Sequence, residues 1–101
     1  MKQVILLSIS IAMIALLAHC SVKPKADFIF EPIDPKVGDT VVFINLSEDG
    51  VRYNWNFGDG VYSSDEDPQH VYRYEGTFIV DFVVHNGVRN DYKTQTITVL
   101  K

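Results

Sequence analysis

Polar and hydrophobic residues alternate along much of the chain after residue 25, and this alternation predicts β-strands. The clearest case is the segment 51–57, where Val51, Tyr53, Trp55 and Phe57 alternate with polar side chains. A period of two residues is typical of a strand with one buried face, because successive side chains point to opposite faces of the sheet. This pattern and the turn residues between its runs predict strands at residues 26–31, 40–46, 51–57, 69–73, 77–85 and 92–100.

Short clusters of glycine, asparagine, aspartate and proline separate these runs and predict turns. The pair Asn86-Gly87 is one such signal, and we expect its loop to extend through Asn90. No helical period follows residue 20. About seven short strands with this spacing predict an all-β fold, an immunoglobulin-like antiparallel β-sandwich. The chain has one cysteine and hence no pair to bridge the sheets, so Trp55 and the phenylalanines are expected to fill the core.

The first 19 residues differ from the rest and predict a signal peptide. Thirteen of the fifteen residues from 4 to 18 are apolar, and Lys2 gives the run a basic start. As a helix the run would measure about 22 Å, which is less than the ~30 Å of a bilayer's hydrocarbon core. This combination favours a secretory signal over a membrane span.

The apolar run ends in Leu17-Ala18-His19-Cys20, which resembles the lipobox of bacterial lipoproteins. In that family the cysteine thiol is acylated and the signal is cut just before it. The resemblance implies a signal peptide at 1–19, a lipidated Cys20 with a short tether at 20–25, and a folded domain at 26–101. His19 departs from the small residue that is usual before the cysteine. The alternative is an uncleaved anchor followed by an ordinary juxtamembrane cysteine.

The charge balance narrows the classes of partner. Without the first 19 residues, the remaining 82 carry 8 Lys+Arg, since only Lys2 is lost, against 13 Asp+Glu, so the net charge is −5. This length fits a single domain. An acidic domain without a basic patch argues against binding to nucleic acid, which requires cations to contact the phosphates.

Two motifs resemble those of the PKD (polycystic kidney disease) domain family. Residues 53–60 read Tyr-Asn-Trp-Asn-Phe-Gly-Asp-Gly and are similar to its Y-x-W-x-F-G-D-G signature. His70-Val71-Tyr72, followed by the alternating run from Gly76 to Val84, is similar to its second block. The resemblance covers residues 26–101 and implies the β-sandwich fold. Asn56 departs from the family pattern, which usually has aspartate at that position.

The residues of these motifs are expected to specify the fold rather than a reaction. Gly58 and Gly60 permit backbone angles closed to other residues, so the chain can leave the strand sharply. Asp59 is expected to accept backbone N–H bonds in that turn, and His70 is expected to be hydrogen-bonded. The Tyr72 hydroxyl is expected to bind a neighbouring backbone group, as corner tyrosines do in related sandwiches.

Catalytic signatures are missing from the sequence, which has no serine elbow, H-E-x-x-H run, phosphate loop or spaced Cys/His ligands. We therefore expect no enzymatic activity, and calcium is the one cofactor to consider. Calcium prefers carboxylate oxygens, and the candidate ligands are Asp59, Asp65, Glu66 and Asp67. The resemblance is compatible with calcium, which stabilises some PKD-like domains of secreted proteases. The alternative is an acidic loop that is simply solvated.

One face of the predicted sheet is a candidate binding surface. Its residues combine hydrogen-bonding groups with exposed apolar side chains, as protein contact surfaces do. They are Arg52, Asn54, Asn56, Ile79, Asp81, Val83, His85, Tyr92, Thr94 and Thr96. The alternative is a half-polar strand face that has no partner.

PKD-like domains accompany cell-surface proteins and secreted hydrolases, where they mediate contacts with proteins or carbohydrates. Together with the lipobox, the resemblance implies a single-domain bacterial lipoprotein of the cell envelope, facing the periplasm or exposed on the cell surface. Its expected function is that of a non-catalytic protein–protein interaction module. Two alternatives stay open: a calcium-stabilised structural spacer, and a carbohydrate-binding module with Tyr62, Tyr74 and Tyr92 as candidate platforms.

Overall fold

The computed structural model describes residues 22–101, which form two antiparallel β-sheets. The predicted signal peptide and Cys20 lie outside these residues. The smaller sheet has the strand order β1-β2-β5 and the larger sheet has the order β4-β3-β6-β7. The seven strands are β1 (Phe28–Glu31), β2 (Thr40–Asn45), β3 (Arg52–Asn56), β4 (Tyr62–Ser63), β5 (Gln69–Val71), β6 (Gly76–Asn86) and β7 (Arg89–Val99). The β-sandwich predicted from the alternation is confirmed.

No helix within the described residues is long and apolar enough to cross a membrane.

The core is an aromatic cluster between the two sheets. The Trp55 ring of β3 stacks on Phe82 of β6, with ring centroids 3.8 Å apart. Phe28 of β1 meets Trp55 edge-on at 5.1 Å, and Phe43 of β2 packs on Phe57 at 5.0 Å. Tilted and edge-on pairs of this kind add to the free energy gained by burying the rings. Trp55 Nε1 donates to a backbone carbonyl 2.8 Å away, so the indole is buried without an unpaired polar atom.

The structure corrects the start of two predicted strands. The alternation places Val51 on the buried face, but Val51 precedes β3 and is 68% exposed. The loop expected to reach Asn90 is a two-residue turn, because Asn86 already pairs with Arg89. Gly87 has a φ of 62°, which suits the first central position of a type II′ hairpin turn.

Two short strands differ from the sequence-based prediction as well. β4 has only two residues, too few for an alternating pattern, and it is missing from the predicted strands. β5 ends at Val71 instead of residue 73. The chain leaves the sheet there, and the next residue, Tyr72, is buried in the core.

Side chains from β7 hold the segment that precedes β1, and we call Asp91, Lys93 and Gln95 the N-terminal clamp. Asp91 Oδ2 accepts the N–H of Ala26 at 2.8 Å, and Lys93 forms an ion pair with Asp27. Gln95 donates to the carbonyl of the residue after Asp27. The hydrogen bond from Lys93 lowers the pKa of Asp27, and the bond from the Ala26 N–H lowers the pKa of Asp91.

Packing against the sandwich begins before residue 26. Pro24 is buried, and Lys25 forms two backbone hydrogen bonds with Glu48, of 3.0 and 2.9 Å. The last two residues of the predicted tether therefore lie on the folded domain.

The strand pairing shows which loops lie together at each end of the sandwich. The lower end holds residues 22–27, the β2–β3 loop at 46–51 and the β6–β7 turn. The upper end holds residues 32–39, the β3–β4 turn at 57–61, the β5–β6 loop and Leu100.

Candidate functional site

The outer face of the larger sheet carries all ten residues of the predicted binding surface. Opposed residues of antiparallel strands project to the same side of a sheet, so the register arranges them in rows. Read from β3 to β7, the rows are Asn56–Asp81–Thr94, Asn54–Val83–Tyr92 and Arg52–His85–Asn90. The structure thus brings Arg52, Asn54, Asn56, Asp81, His85 and Tyr92 onto one surface. Their role in binding stays a prediction.

Two exposed tyrosines flank these rows. Tyr62 of β4 pairs with Asn56 and so shares the outer face. Tyr62 and Tyr92 are 70% and 72% exposed, respectively. Their strands are three strand spacings apart, or roughly 14 Å. The sequence did not place Tyr62 on this face, because the two residues of β4 show no alternation; the turn residues just before it were the only signal.

Few internal contacts engage the polar groups of the outer face. Asn54 Nδ2 lies 2.9 Å from His85 Nε2, where the amide donates to an unprotonated ring nitrogen. Arg52 is exposed, and neither of the two ion pairs within residues 22–101 includes it or Asp81. Groups that lack internal partners are available to an external one.

The glycine turn after β3 has the positive backbone angles predicted from its motif, and Gly58 also packs closely against β6. Gly58 has a φ of +85°, and a Cβ at this position would lie 2.5 Å from the carbonyl oxygen of Ile79. Asn56 Oδ1 accepts the Gly58 N–H at 3.0 Å, so asparagine caps the turn without a charge. Asp59 Oδ1 accepts the Val61 N–H at 3.3 Å.

Residues of the second motif contact this turn and stabilise it. His70 Nε2 lies 2.7 Å from Asp59 Oδ2, and the imidazole stacks on Phe57 with centroids 4.3 Å apart. The buried Tyr72 hydroxyl donates to the Phe57 carbonyl at 2.9 Å. Burial raises the pKa of Tyr72 above its ordinary value. The contacts of Asp59, His70 and Tyr72 therefore specify the fold.

An open cleft of about 580 Å³ lies beside this turn at the upper end. Its polar wall is formed by the Asp59–His70 pair and Arg73, and the exposed Tyr74 stands at its rim. The apolar wall is formed by Val61, Val71 and Phe78. Of the residues that line this cleft, the sequence predicts only Tyr74 as a candidate carbohydrate contact, because the fold brings the others together from separate segments.

The acidic candidates for calcium are not brought together. Asp59 faces His70, and Asp67 Oδ1 accepts the Asn45 N–H at 2.9 Å. Asp65 contributes its backbone carbonyl to Trp55 Nε1. Within residues 22–101, no three His, Cys, Asp or Glu side chains are grouped as they would be around a metal ion. Calcium binding stays a prediction without a grouped set of ligands.

Comparison with known families agrees with the two motifs. Residues 21–99 match the family described as PKD domain. The chain belongs to the PKD domain family. Among solved PKD domains, the PKD1 domain of Vibrio anguillarum Epp is 31% identical, covers 78% of this chain and 95% of its own, and superposes with a TM-score of 0.67. The PKD1 domain of the Vibrio cholerae metalloprotease PrtV is 30% identical, with 79% and 100% covered and a TM-score of 0.67.

Other similar proteins contain this domain as a small part of a longer chain. Collagenase ColA of Bacillus cereus is 40% identical over 57 residues, which are 54% of this chain and 6% of the collagenase. A structure solved in work on the promiscuous specificity of carbohydrate-binding modules of the β-sandwich superfamily is 34% identical. It has a TM-score of 0.74, with 79% of this chain and 35% of that chain covered.

In this PKD domain the motif residues are engaged in the fold, while two surfaces carry exposed tyrosines beside polar groups. One is the outer face between Tyr62 and Tyr92, and the other is the upper cleft beside Tyr74. The outer face is flat and suits a macromolecule, whereas the cleft has the volume of a small-ligand site.

Proposed function

We propose that this PKD-domain chain is a non-catalytic, lipid-anchored interaction module of the bacterial cell envelope. Its partner on this proposal is an envelope protein that binds the outer face of the larger sheet. The observation that carries the proposal is the pair of exposed tyrosines, Tyr62 and Tyr92, beside polar rows that form no ion pair within residues 22–101. Tyrosine is enriched at protein interfaces because its ring offers a large rigid contact area and its hydroxyl a hydrogen bond.

The membrane part of the proposal is supported by the sequence around Cys20. An apolar run with a basic start ends at the chain's one cysteine, in the order that a lipidated envelope protein requires. Two or three acyl chains hold a protein on a bilayer far more firmly than one chain does. The domain that follows at residues 26–101 would then act close to the membrane, from the periplasm or the cell surface.

Labelling with a fatty acid tests the anchor. Incorporation into the parent chain and its loss in Cys20→Ser are the expected results. Incorporation into Cys20→Ser, or none into the parent, would contradict the lipid anchor.

Charge reversal on the outer face tests the binding surface. Arg52→Glu and Asp81→Lys are each expected to reduce capture of the partner from membrane extracts, because the surface must match the partner's charges. Lys36→Glu, an exposed change in the β1–β2 loop at the upper end, is the matched control. Melting temperatures should agree among all four proteins, so that lost capture reports binding and not unfolding. Equal capture by the two outer-face variants and the parent would overturn the assignment of this face.

Carbohydrate binding in the upper cleft is a second candidate function. The supporting observations are the cleft's volume, its polar wall next to the exposed Tyr74, and the likeness to the carbohydrate-binding module structure. Tyr74→Ala is expected to abolish binding on a glycan array, whereas Tyr92→Ala on the outer face should leave it unchanged. Identical array profiles for Tyr74→Ala and the parent would remove the cleft from consideration.

A further inference from the structure

The lower end of the sandwich exposes apolar side chains at one corner. Val88, at the tip of the β6–β7 turn, is 101% exposed. Leu46 and Val51 of the neighbouring β2–β3 loop are exposed too. A valine at the tip of a two-residue hairpin turn contributes nothing to the core, so the fold does not account for it.

Hydrogen bonds join the turn and the loop into one rigid corner. Asn86 Nδ2 donates to the Asp49 carbonyl at 2.9 Å, and the Val51 N–H donates to the His85 carbonyl at 2.8 Å. The exposed apolar side chains on this corner are therefore held in place together. We call Leu46, Val51 and Val88 with their two segments the lower corner.

The chain enters the domain at the same corner. Lys25 is bonded to Glu48 of the β2–β3 loop, and the N-terminal clamp of β7 fixes Ala26. Only residues 21–23 separate Cys20 from the buried Pro24. Four residue steps span at most about 14 Å when fully extended. A membrane anchor at Cys20 thus holds the lower end close to the bilayer.

We propose that the lower corner docks on the surface of the lipid bilayer, with Val88 inserted between the headgroups. This inference rests on the membrane anchoring proposed above. The free energy falls when apolar side chains leave water for the bilayer interface. The tether brings no other surface of the domain as close to the bilayer. Arg89 beside the tip and Lys23 and Lys25 in the tether supply cations that suit lipid phosphates. The same corner also carries the exposed carboxylates of Glu48 and Asp49, so docking depends on the apolar side chains and the tether and not on net charge.

The acidic loop at residues 65–67 sets the tilt of the domain. It joins β4 to β5, the edge strands opposite the N-terminal clamp and the hairpin. At the lower corner Glu48 and Asp49 are balanced by Lys23, Lys25 and Arg89, whereas residues 65–67 are three carboxylates with no cation among them. An anionic leaflet therefore repels this edge more strongly than the corner, so the edge turns away while the corner with Val88 turns toward the lipid. The upper cleft then faces away from the membrane.

Fluorescence from single sites on the full lipidated chain tests this arrangement. Val88→Cys is labelled with an environment-sensitive maleimide dye in vesicles that contain anionic lipid, and nitroxide lipid is added as quencher. Ile33→Cys is the matched control, since Ile33 is an apolar residue, 74% exposed, at the upper end. Glu66→Cys reports the acidic edge. The parent chain verifies that acylated Cys20 takes up no dye.

The dye at Val88→Cys is expected to shift its emission to shorter wavelength and to be quenched by the nitroxide lipid. The dyes at Ile33→Cys and Glu66→Cys should keep the emission of an aqueous dye and resist quenching. A membrane-bound chain whose dye at Val88→Cys behaves like that at Ile33→Cys overturns the docked corner and leaves the anchor intact. A chain that is absent from the membrane fraction overturns both proposals. Quenching at Glu66→Cys equal to that at Val88→Cys overturns the tilt.

Discussion

The two faces of the larger sheet are formed by the same strands but differ in burial and in the number of internal contacts. On the inner face, Trp55, Phe82 and their neighbours are almost fully buried and pack ring against ring. On the outer face, one residue along each strand, polar and aromatic side chains stand in rows with few internal contacts. The inner face is therefore constrained by packing, whereas few internal contacts constrain the outer face. Substitutions should separate the two faces by their effect on stability.

Removal of the central ring should have the largest effect. Trp55→Ala is expected to lower the free energy of unfolding by about 3–5 kcal/mol, because it deletes both the ring contacts and the volume they fill. Urea denaturation followed by circular dichroism measures this loss, since the only tryptophan is removed. Trp55→Phe keeps a ring and should lose less. A loss below about 1 kcal/mol for Trp55→Ala would show that the core is not organised around this residue.

A methyl group at the glycine turn should have the next largest effect. Gly58→Ala places its Cβ against the Ile79 backbone and strains a positive φ, whereas Gly60→Ala, at a φ of +89°, has nothing within 4 Å. Gly60→Ala should therefore cost about 1–2 kcal/mol from the backbone angle alone. Gly58→Ala should cost distinctly more in the same denaturation experiment. Equal decreases in the free energy of unfolding for the two variants would mean that the close approach of Gly58 to Ile79 does not contribute to stability.

Removal of the Tyr72 hydroxyl should have an intermediate effect that depends on pH. Tyr72→Phe leaves the Phe57 carbonyl unpaired and should cost about 1–3 kcal/mol near pH 7. Burial raises the pKa of Tyr72 above its ordinary value of 10.0. The stability from the neutral hydroxyl is then complete below pH 10 and is lost as the pH rises beyond that value. The parent should lose stability more steeply than Tyr72→Phe in alkaline melting curves, and parallel curves would contradict the assignment.

Substitution on the outer face should have the smallest effect on stability. Tyr92→Ser and Ile79→Ser, both at exposed positions, should change the free energy of unfolding by no more than about 0.5 kcal/mol. The same variants should weaken capture of the protein partner, since both remove contact area from the face. A large loss of stability would show that the outer face is part of the folding unit, and the contrast between the faces would fail.

The sequence predicts most of the inner face because that face has a period. Trp55 and the phenylalanines are expected in the core, and the structure confirms this for Trp55, Phe57 and Phe82. The alternation fails at Val51, where the period continues beyond the end of the strand. Alternation carries no information on where pairing stops, since hydrogen bonds and not hydrophobicity end a strand.

Other features depend on residues that are distant in the sequence. The N-terminal clamp joins Ala26 to Asp91 across 65 positions, and the upper cleft is assembled from three segments. Tyr62 reaches the outer face only because β4 pairs with β3. The pattern of polar and apolar residues in one segment does not show which distant segment packs beside it. These parts of the candidate sites could therefore be found only in the structure.

The attachment of β7 at both of its ends has a mechanical consequence. At the lower end the clamp holds the segment before β1, and at the upper end Leu100 exchanges hydrogen bonds of 2.8 Å with Pro35 and Val37. Tension between residue 22 and a molecule held by β7 runs along the strand axis. The lower contacts then lie along the direction of the load, so we expect them to bear it together in shear and to resist extension along the strand axis.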